Sequence, residues 1–150
     1  MGFELGTDGP GAIVVGVDGS PTSLRAAAYA AGLARRQCTR LVAVYARTSP
    51  APLLTLLDRS GVGVKAVLDS QDEIEAQLRD GLARQVRDWQ LDAALVVRTG
   101  EPLAVLSRVA ADVRAEAVIV GSSASVGHRI AGSLAVRLVR CARWPVTVVP

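Results

Sequence analysis

Five short apolar runs, separated by stretches with helical spacing, constrain this 150-residue chain more than any other feature. They are Ala12 to Val17, Leu41 to Ala46, Ala93 to Val97, Ala117 to Val120 and Trp144 to Val149. The first is a near-continuous apolar stretch, as a strand covered on both faces is. Strands that alternate with helices build a parallel sheet with helices on both faces. The expected fold is therefore a single α/β domain, a doubly wound parallel five-stranded sheet. Pro145, at the start of the fifth run, suits an edge strand because proline cannot donate to a ladder.

The connecting stretches carry their own signals. Ser20-Pro21 reads as a helix start, with a hydroxyl N-cap and then proline at the first helical position. The predicted helix runs to about Gln37, with Leu24, Ala28, Ala31 and Leu33 near its buried stripe. Residues 47–69 form a long connection containing Pro50, Pro52, Gly61 and Gly63, with a short apolar helix at Leu53 to Leu57. A connection of that length reads as a lid or a partner surface. Ser70-Gln-Asp-Glu73 matches a capping box. It predicts a helix start there, followed by Ile74, Leu78, Leu82, Val86 and Trp89 on one stripe. Gly100-Glu-Pro102 opens a helix with Leu103, Leu106, Val109 and Val113. A last helix from about Ser133 carries Leu134, Leu138 and Cys141. Residues 1–11 are polar and glycine-rich and read as a flexible N-terminal segment before a domain at 12–150.

Composition removes several function classes. The charge is only +3, sixteen of the seventeen basic residues are Arg, and they are scattered. Aromatic residues make up 3% of the chain, too few for a base-stacking surface, so no nucleic-acid partner is expected. No apolar run is long enough to cross a membrane. The first residues lack the basic and apolar regions of a secretory signal. Gly at position 6 breaks the myristoylation pattern that Met1-Gly2 begins. Cys38 and Cys141 lie far apart, and only His128 could join them, so neither a disulfide framework nor a metal site is expected. A reducing cytoplasm fits this cysteine usage.

Chemistry is expected at the carboxyl ends of the strands, at the point where strand order reverses. Asp18 ends the first strand and Gly121 the fourth. The order 3-2-1-4-5 makes those strands neighbours, so that a carboxylate and a glycine loop flank one crevice. After Val118-Ile-Val-Gly121 the chain reads Ser-Ser-Ala-Ser-Val-Gly-His-Arg-Ile-Ala-Gly-Ser to Ser133. Such a strand, glycine loop and helix let backbone N–H groups approach an anion. A plain turn is the simpler reading of the same glycines. The chain has no Walker A motif, no G-x-G-x-x-G after strand one and no nucleophile elbow. No nucleophile–base pair is visible, and no catalytic residue is assigned.

Three stretches together carry a family resemblance over roughly residues 10–150. These are Val15-Gly-Val-Asp-Gly-Ser-Pro-Thr-Ser-Leu-Arg-Ala-Ala27, Arg98-Thr-Gly-Glu-Pro102, and Val120-Gly121 onward to Trp144-Pro-Val-Thr-Val-Val149. The chain resembles the universal stress protein (UspA) family. That resemblance implies an adenine nucleotide alpha hydrolase-like fold and a stress-response binding and regulatory module. It also implies ATP or another adenine nucleotide as ligand, with Asp18 at the adenosine end and Ala46 beside the base. In the nucleotide-binding branch the loop signature is G-x2-G-x9-G-[ST], which Gly121, Gly132 and Ser133 match. Position 124 is Ala rather than Gly, and seven residues instead of nine separate it from Gly132. Gly127 is the candidate replacement for the missing glycine. Arg129 is either a charge-assisted contact or a solvated surface residue.

The alternative reading is a nucleotide-free dimeric interaction module of the same fold, working through dimerisation and segment 47–69 with an unidentified protein partner. A third reading, weak nucleotide hydrolysis, has no general base beyond Asp18. The apolar, uncharged run Val146, Thr147, Val148 and Val149 on an edge strand predicts a homodimer paired through that strand.

Overall fold

The computed structural model describes residues 11–50, 52–122 and 134–150. The strands are β1 (Ala12–Gly16), β2 (Arg40–Arg47), β3 (Ala93–Thr99), β4 (Ala115–Gly121) and β5 (Val146–Val149). The helices are α1 (Pro21–Gln37), α2 (Pro52–Leu57), α3 (Val62–Trp89), α4 (Pro102–Asp112) and α5 (Leu134–Cys141). The strands form one sheet in the order β3-β2-β1-β4-β5, and every neighbouring pair is parallel. The expected topology is the observed one.

Alternation along the strands divides the core into two layers. Ile13, Val15, Val17 and Ala43 face α1 and α3, where Ala26, Ala30, Ala34 and Leu78 cover them. Val14, Val42, Val44, Val118 and Val120 face α4 and α5, where Leu106, Val109, Ala110 and Leu138 cover them. Both faces of β1 are sealed, which is why its sequence shows no polar alternation.

The chain enters the sheet at Gly11. Its N–H donates to the Arg114 carbonyl at 2.8 Å, and a Cβ there would lie 2.4 Å from the Val113 oxygen. At the opposite end, Ser20 caps α1 as expected, its hydroxyl accepting the Ser23 N–H at 3.2 Å. Of the expected stripe Leu24, Ala28, Ala31 and Leu33, Ala31 is buried and Leu33 half-buried, and the rest of the buried face is made of other alanines. Leu24 and Ala28 are exposed, while Ala26, Ala30, Ala31 and Ala34 pack on the sheet. The short alanine side chains let the helix backbone sit close to the strands, and that fixes which face turns inward.

Two expectations between β2 and β3 are corrected. Most of the 47–69 connection is helical, because α2 is followed by α3 only four residues later. The second correction is that α3 begins at Val62, so the Ser70–Glu73 box lies inside a helix of 28 residues. The actual start is set further upstream. Gly61 takes a left-handed φ of 70°, and the Asp58 carboxylate accepts the Val64 N–H at 2.9 Å. A carboxylate that satisfies a first-turn N–H can nucleate the helix before the Ser70 box is reached. The apolar stripe of α3 is buried at Leu78 and half-buried at Ile74 and Leu82, but Val86 and Trp89 are exposed.

Candidate functional site

The site is assembled by the carboxyl ends of β1, β2 and β4. The Val17 N–H donates to the Val44 carbonyl at 2.9 Å, continuing the β1–β2 pairing past Gly16. The strand register ends at Gly16 opposite Val44; Asp18 follows in the turn to α1, while Ala46 lies two residues further along β2 and packs on the α4/α5 side of the sheet. The first-strand carboxylate and the position expected beside a base thus lie at the carboxyl ends of neighbouring strands.

Asp18 is held by the turn it begins. Its Oδ1 accepts the Ser20 N–H at 2.9 Å, and its own N–H donates to the Ser23 hydroxyl at 3.2 Å. The Ser23 hydroxyl in turn donates to the Ser20 carbonyl at 3.0 Å. Gly19 makes the turn with a φ of +82°, a conformation glycine reaches without steric cost. Partial burial pushes the Asp18 carboxyl upward, but hydrogen bonds from Ser20 and Ser23 outweigh it and hold the group below its ordinary value. The residue still reaches solvent, and its carboxyl is ionised at neutral pH. It can accept further hydrogen bonds from hydroxyl or amino groups entering the crevice.

Gly121 closes the fourth strand directly beneath the first turn of α1. A Cβ there would lie 2.6 Å from the Thr22 carbonyl carbon, 2.7 Å from its oxygen and 2.8 Å from the Ser23 nitrogen. All three are backbone atoms, so this glycine is required by the seating of α1 on β4. Beyond it the Ser122 N–H donates to the Val149 carbonyl at 2.7 Å. Ala124, Gly127, Arg129, Gly132 and Ser133 lie outside the described residues.

The carboxyl ends of β2 and β3 carry further polar contacts. Gly100, which follows β3, donates its N–H to the Arg47 carbonyl at 2.9 Å. Glu101 caps α4 by accepting the Ala104 N–H at 3.0 Å, and it meets Arg137 of α5 at 2.6 Å. Burial pushes the Glu101 carboxyl upward, but those two partners bring it below its ordinary value. On the other face, Arg47 reaches α3. Its Nη2 lies 2.7 Å from Asp72, its Nη1 3.0 Å from Glu75, and its Nε donates to Gln71 at 3.2 Å. Gln71 also donates to the Thr48 carbonyl at 2.9 Å. The polar residues read as a capping box thus fasten α3 to the end of β2. No local motif marks this contact, because Arg47 and its partners lie on separate elements.

No group of three His, Cys, Asp or Glu side chains suited to a metal ion occurs among the described residues. Among them, no helix is long and apolar enough to cross a membrane. Cys38 and Cys141 are free and exposed.

The fold is that of a doubly wound α/β domain, whose candidate site falls at the switch point between β1 and β4. The sequence profile described as the universal stress protein family matches residues 11–150. The chain belongs to the universal stress protein family. It is similar to a solved structure of a protein from that family from Burkholderia pseudomallei, at 26% identity and TM-score 0.73. That match covers 97% of this chain and 98% of the other. A universal stress protein solved in complex with cAMP is 22% identical, with TM-score 0.62 and coverage of 93% and 96%. A universal stress protein family protein from Arabidopsis thaliana with AMP bound is 15% identical, with TM-score 0.64 and coverage of 93% and 91%. A search of curated protein sequences finds no match.

Proposed function

We propose that this chain is a regulatory module of its family that binds an adenine nucleotide in the crevice at the ends of β1, β2 and β4. The observation that carries this reading is an ionised carboxylate, Asp18, just past the end of β1, beside the end of the neighbouring strand β2 that holds Ala46. An ionised carboxylate beside a small apolar residue suits the adenosine half of a nucleotide, with the ribose or amino group donating to Asp18 and the base lying over Ala46. The segment after Gly121 would meet the phosphates. Solved relatives carrying cAMP and AMP support the same ligand class. The same proposal has the protein in the cytoplasm, a location in keeping with two exposed, free cysteines. Turnover forms no part of the proposal, which assigns no catalytic residue.

The test is calorimetric titration of nucleotide-free protein with ATP, AMP and cyclic AMP. Saturable binding of at least one is expected. Asp18→Ala should weaken it by about 1–3 kcal/mol, the scale for losing a charged hydrogen-bond partner. Affinity unchanged by that substitution would remove Asp18 from the site.

A second reading is favoured by a different observation. Leu56 and Leu57 on α2 are 78% and 72% exposed, and Val62 at the start of α3 is 69% exposed. An apolar surface of this kind marks a protein-binding face. In this reading the domain works without nucleotide, as a dimer that presents the segment to a partner. Absence of binding to all three nucleotides would favour it.

A further inference from the structure

A trough runs between α1 and α3, on the sheet face opposite Ala46. It consists of two cavities of about 220 and 160 Å³ that share Ala28, Ala31 and Gln85 as lining. The α1 wall is made of Ala27, Ala28, Ala31 and Gly32, and the α3 wall includes Leu78, Gly81 and Leu82. Small residues stand on both helices where larger side chains would otherwise meet and fill the gap. Leu24 marks one end and Arg35 the other. They lie three helical turns apart on α1, about 16 Å.

Charge is confined to one end. Arg35 is the only ionisable residue in the lining of either cavity. Its guanidinium stacks over Trp89 at 4.5 Å from the ring centre. No carboxylate among the described residues pairs with it. Stacking fixes the plane of the guanidinium and leaves its in-plane N–H donors free to take a carboxylate in bidentate fashion. Trp89 is 53% exposed, so this end opens to solvent.

We infer that the trough binds a single-chain fatty acid, its carboxylate on Arg35 and its acyl chain along Ala31, Ala28 and Gly81 toward Leu24. The occupant follows from two features. A single cation at one end of an apolar channel matches a molecule with one anionic end and no other charge. Both walls are helices whose backbone hydrogen bonds are internal, so an extended peptide laid there would leave its own N–H and C=O groups without partners. An acyl chain carries none. This ligand is independent of the proposed nucleotide, which lies on the opposite face.

The test uses dodecanoate below its micellar concentration, followed by titration calorimetry and tryptophan fluorescence on the purified full chain. Saturable one-to-one binding is expected. Arg35→Gln should weaken it at least tenfold, whereas Arg35→Lys should retain part of the affinity. Dodecyltrimethylammonium, with the same chain and the opposite charge, should bind at least tenfold more weakly. Gly81→Leu fills the trough at a helix-interior position where an added Cβ meets only the end of Arg84, at 3.9 Å. That variant should keep its circular dichroism spectrum and melting temperature and lose dodecanoate binding. Absence of saturable binding overturns the inference. So does wild-type affinity in Gly81→Leu, or equal affinity for the cationic amphiphile. Binding of an acidic amphipathic helical peptide, blocked by Gly81→Leu while dodecanoate does not bind, would reassign the trough to protein docking and overturn it equally.

Discussion

Gly121 has no side chain because the backbone of Thr22 and Ser23 occupies the place where a Cβ would go. Backbone atoms inside a helix turn cannot step aside as the tip of a long side chain can. Gly121→Ala should therefore push α1 off β4 and cost about 1–3 kcal/mol, the range for forced overpacking. Denaturant midpoints of the two proteins measure it, and an unchanged midpoint would mean the helix start is free to shift. Asp18 makes a different residue-scale case. Its carboxyl is held below its ordinary value of 3.8, with the hydrogen bonds from Ser20 and Ser23 overcoming the opposing effect of burial. A group depressed by folding stabilises the native state above its unfolded value and loses that contribution as the pH falls through its folded value. The stability of the wild type relative to Asp18→Asn should thus be greatest near neutrality. It should shrink as the pH drops below 3.8 and level off only below the lower folded value, where the Asp18 carboxyl is protonated too. Paired unfolding curves across that range would show it. A gap independent of pH would mean the carboxylate's charge is not what the turn holds.

At the scale of elements, α3 is the part that sequence patterns described least well. The strands were legible because each is a short apolar run, and in β1, at the centre of the sheet, both faces are covered, so local composition and tertiary position agree. The start of α1 was legible because Ser20 and Pro21 are adjacent in sequence to what they cap. For α3 that agreement fails. Its first turn is capped by Asp58, which lies upstream of Gly61 and forms no standard motif with Val64. The Ser70–Glu73 pattern looks like a local signal but is spent on a long-range contact, since Gln71 and Asp72 turn to Arg47. For α1, periodicity marked Leu24 as buried, but close approach to the sheet selected the alanine face instead. Arg47 itself could not be singled out, because its partners lie on another element. Its side chain is only 21% exposed and meets Asp72, Glu75 and Gln71 at once, whereas Arg79 meets Glu75 from the surface. Arg47→Ala should lower amide protection around Gln71 to Leu78 clearly more than Arg79→Ala, because it frees three α3 side chains rather than one. Equal protection in the two variants, followed by hydrogen exchange, would show that apolar packing alone seats this helix.

At the scale of the whole molecule, the sheet ends in one edge that looks ready to pair. The order β3-β2-β1-β4-β5 leaves β5 with a neighbour on one side only. Its run Val146-Thr-Val-Val149 carries no charge to discourage a second chain, and Val148 is 44% exposed. The adjacent α5, which packs on β5, adds Val139 at 58% exposure. Four residues span only about 13 Å of ladder, so strand pairing alone would contribute few hydrogen bonds. A stable dimer through this edge would need the valines of β5 and α5 to bury apolar area as well. A two-fold axis across β5 supplies both, since it pairs the strand antiparallel with its copy and brings each α5 toward the other. Pro150 stands against a longer ladder, and its carbonyl is already taken by Arg25 Nε at 2.8 Å. The proposal is therefore a homodimer whose interface is centred on β5. Sedimentation at micromolar concentration should find the dimer, and Val148→Lys should shift it to monomer by placing a charge in the paired edge. A dimer that survives Val148→Lys would move the interface elsewhere, with the exposed leucines of α2 the next surface to mutate.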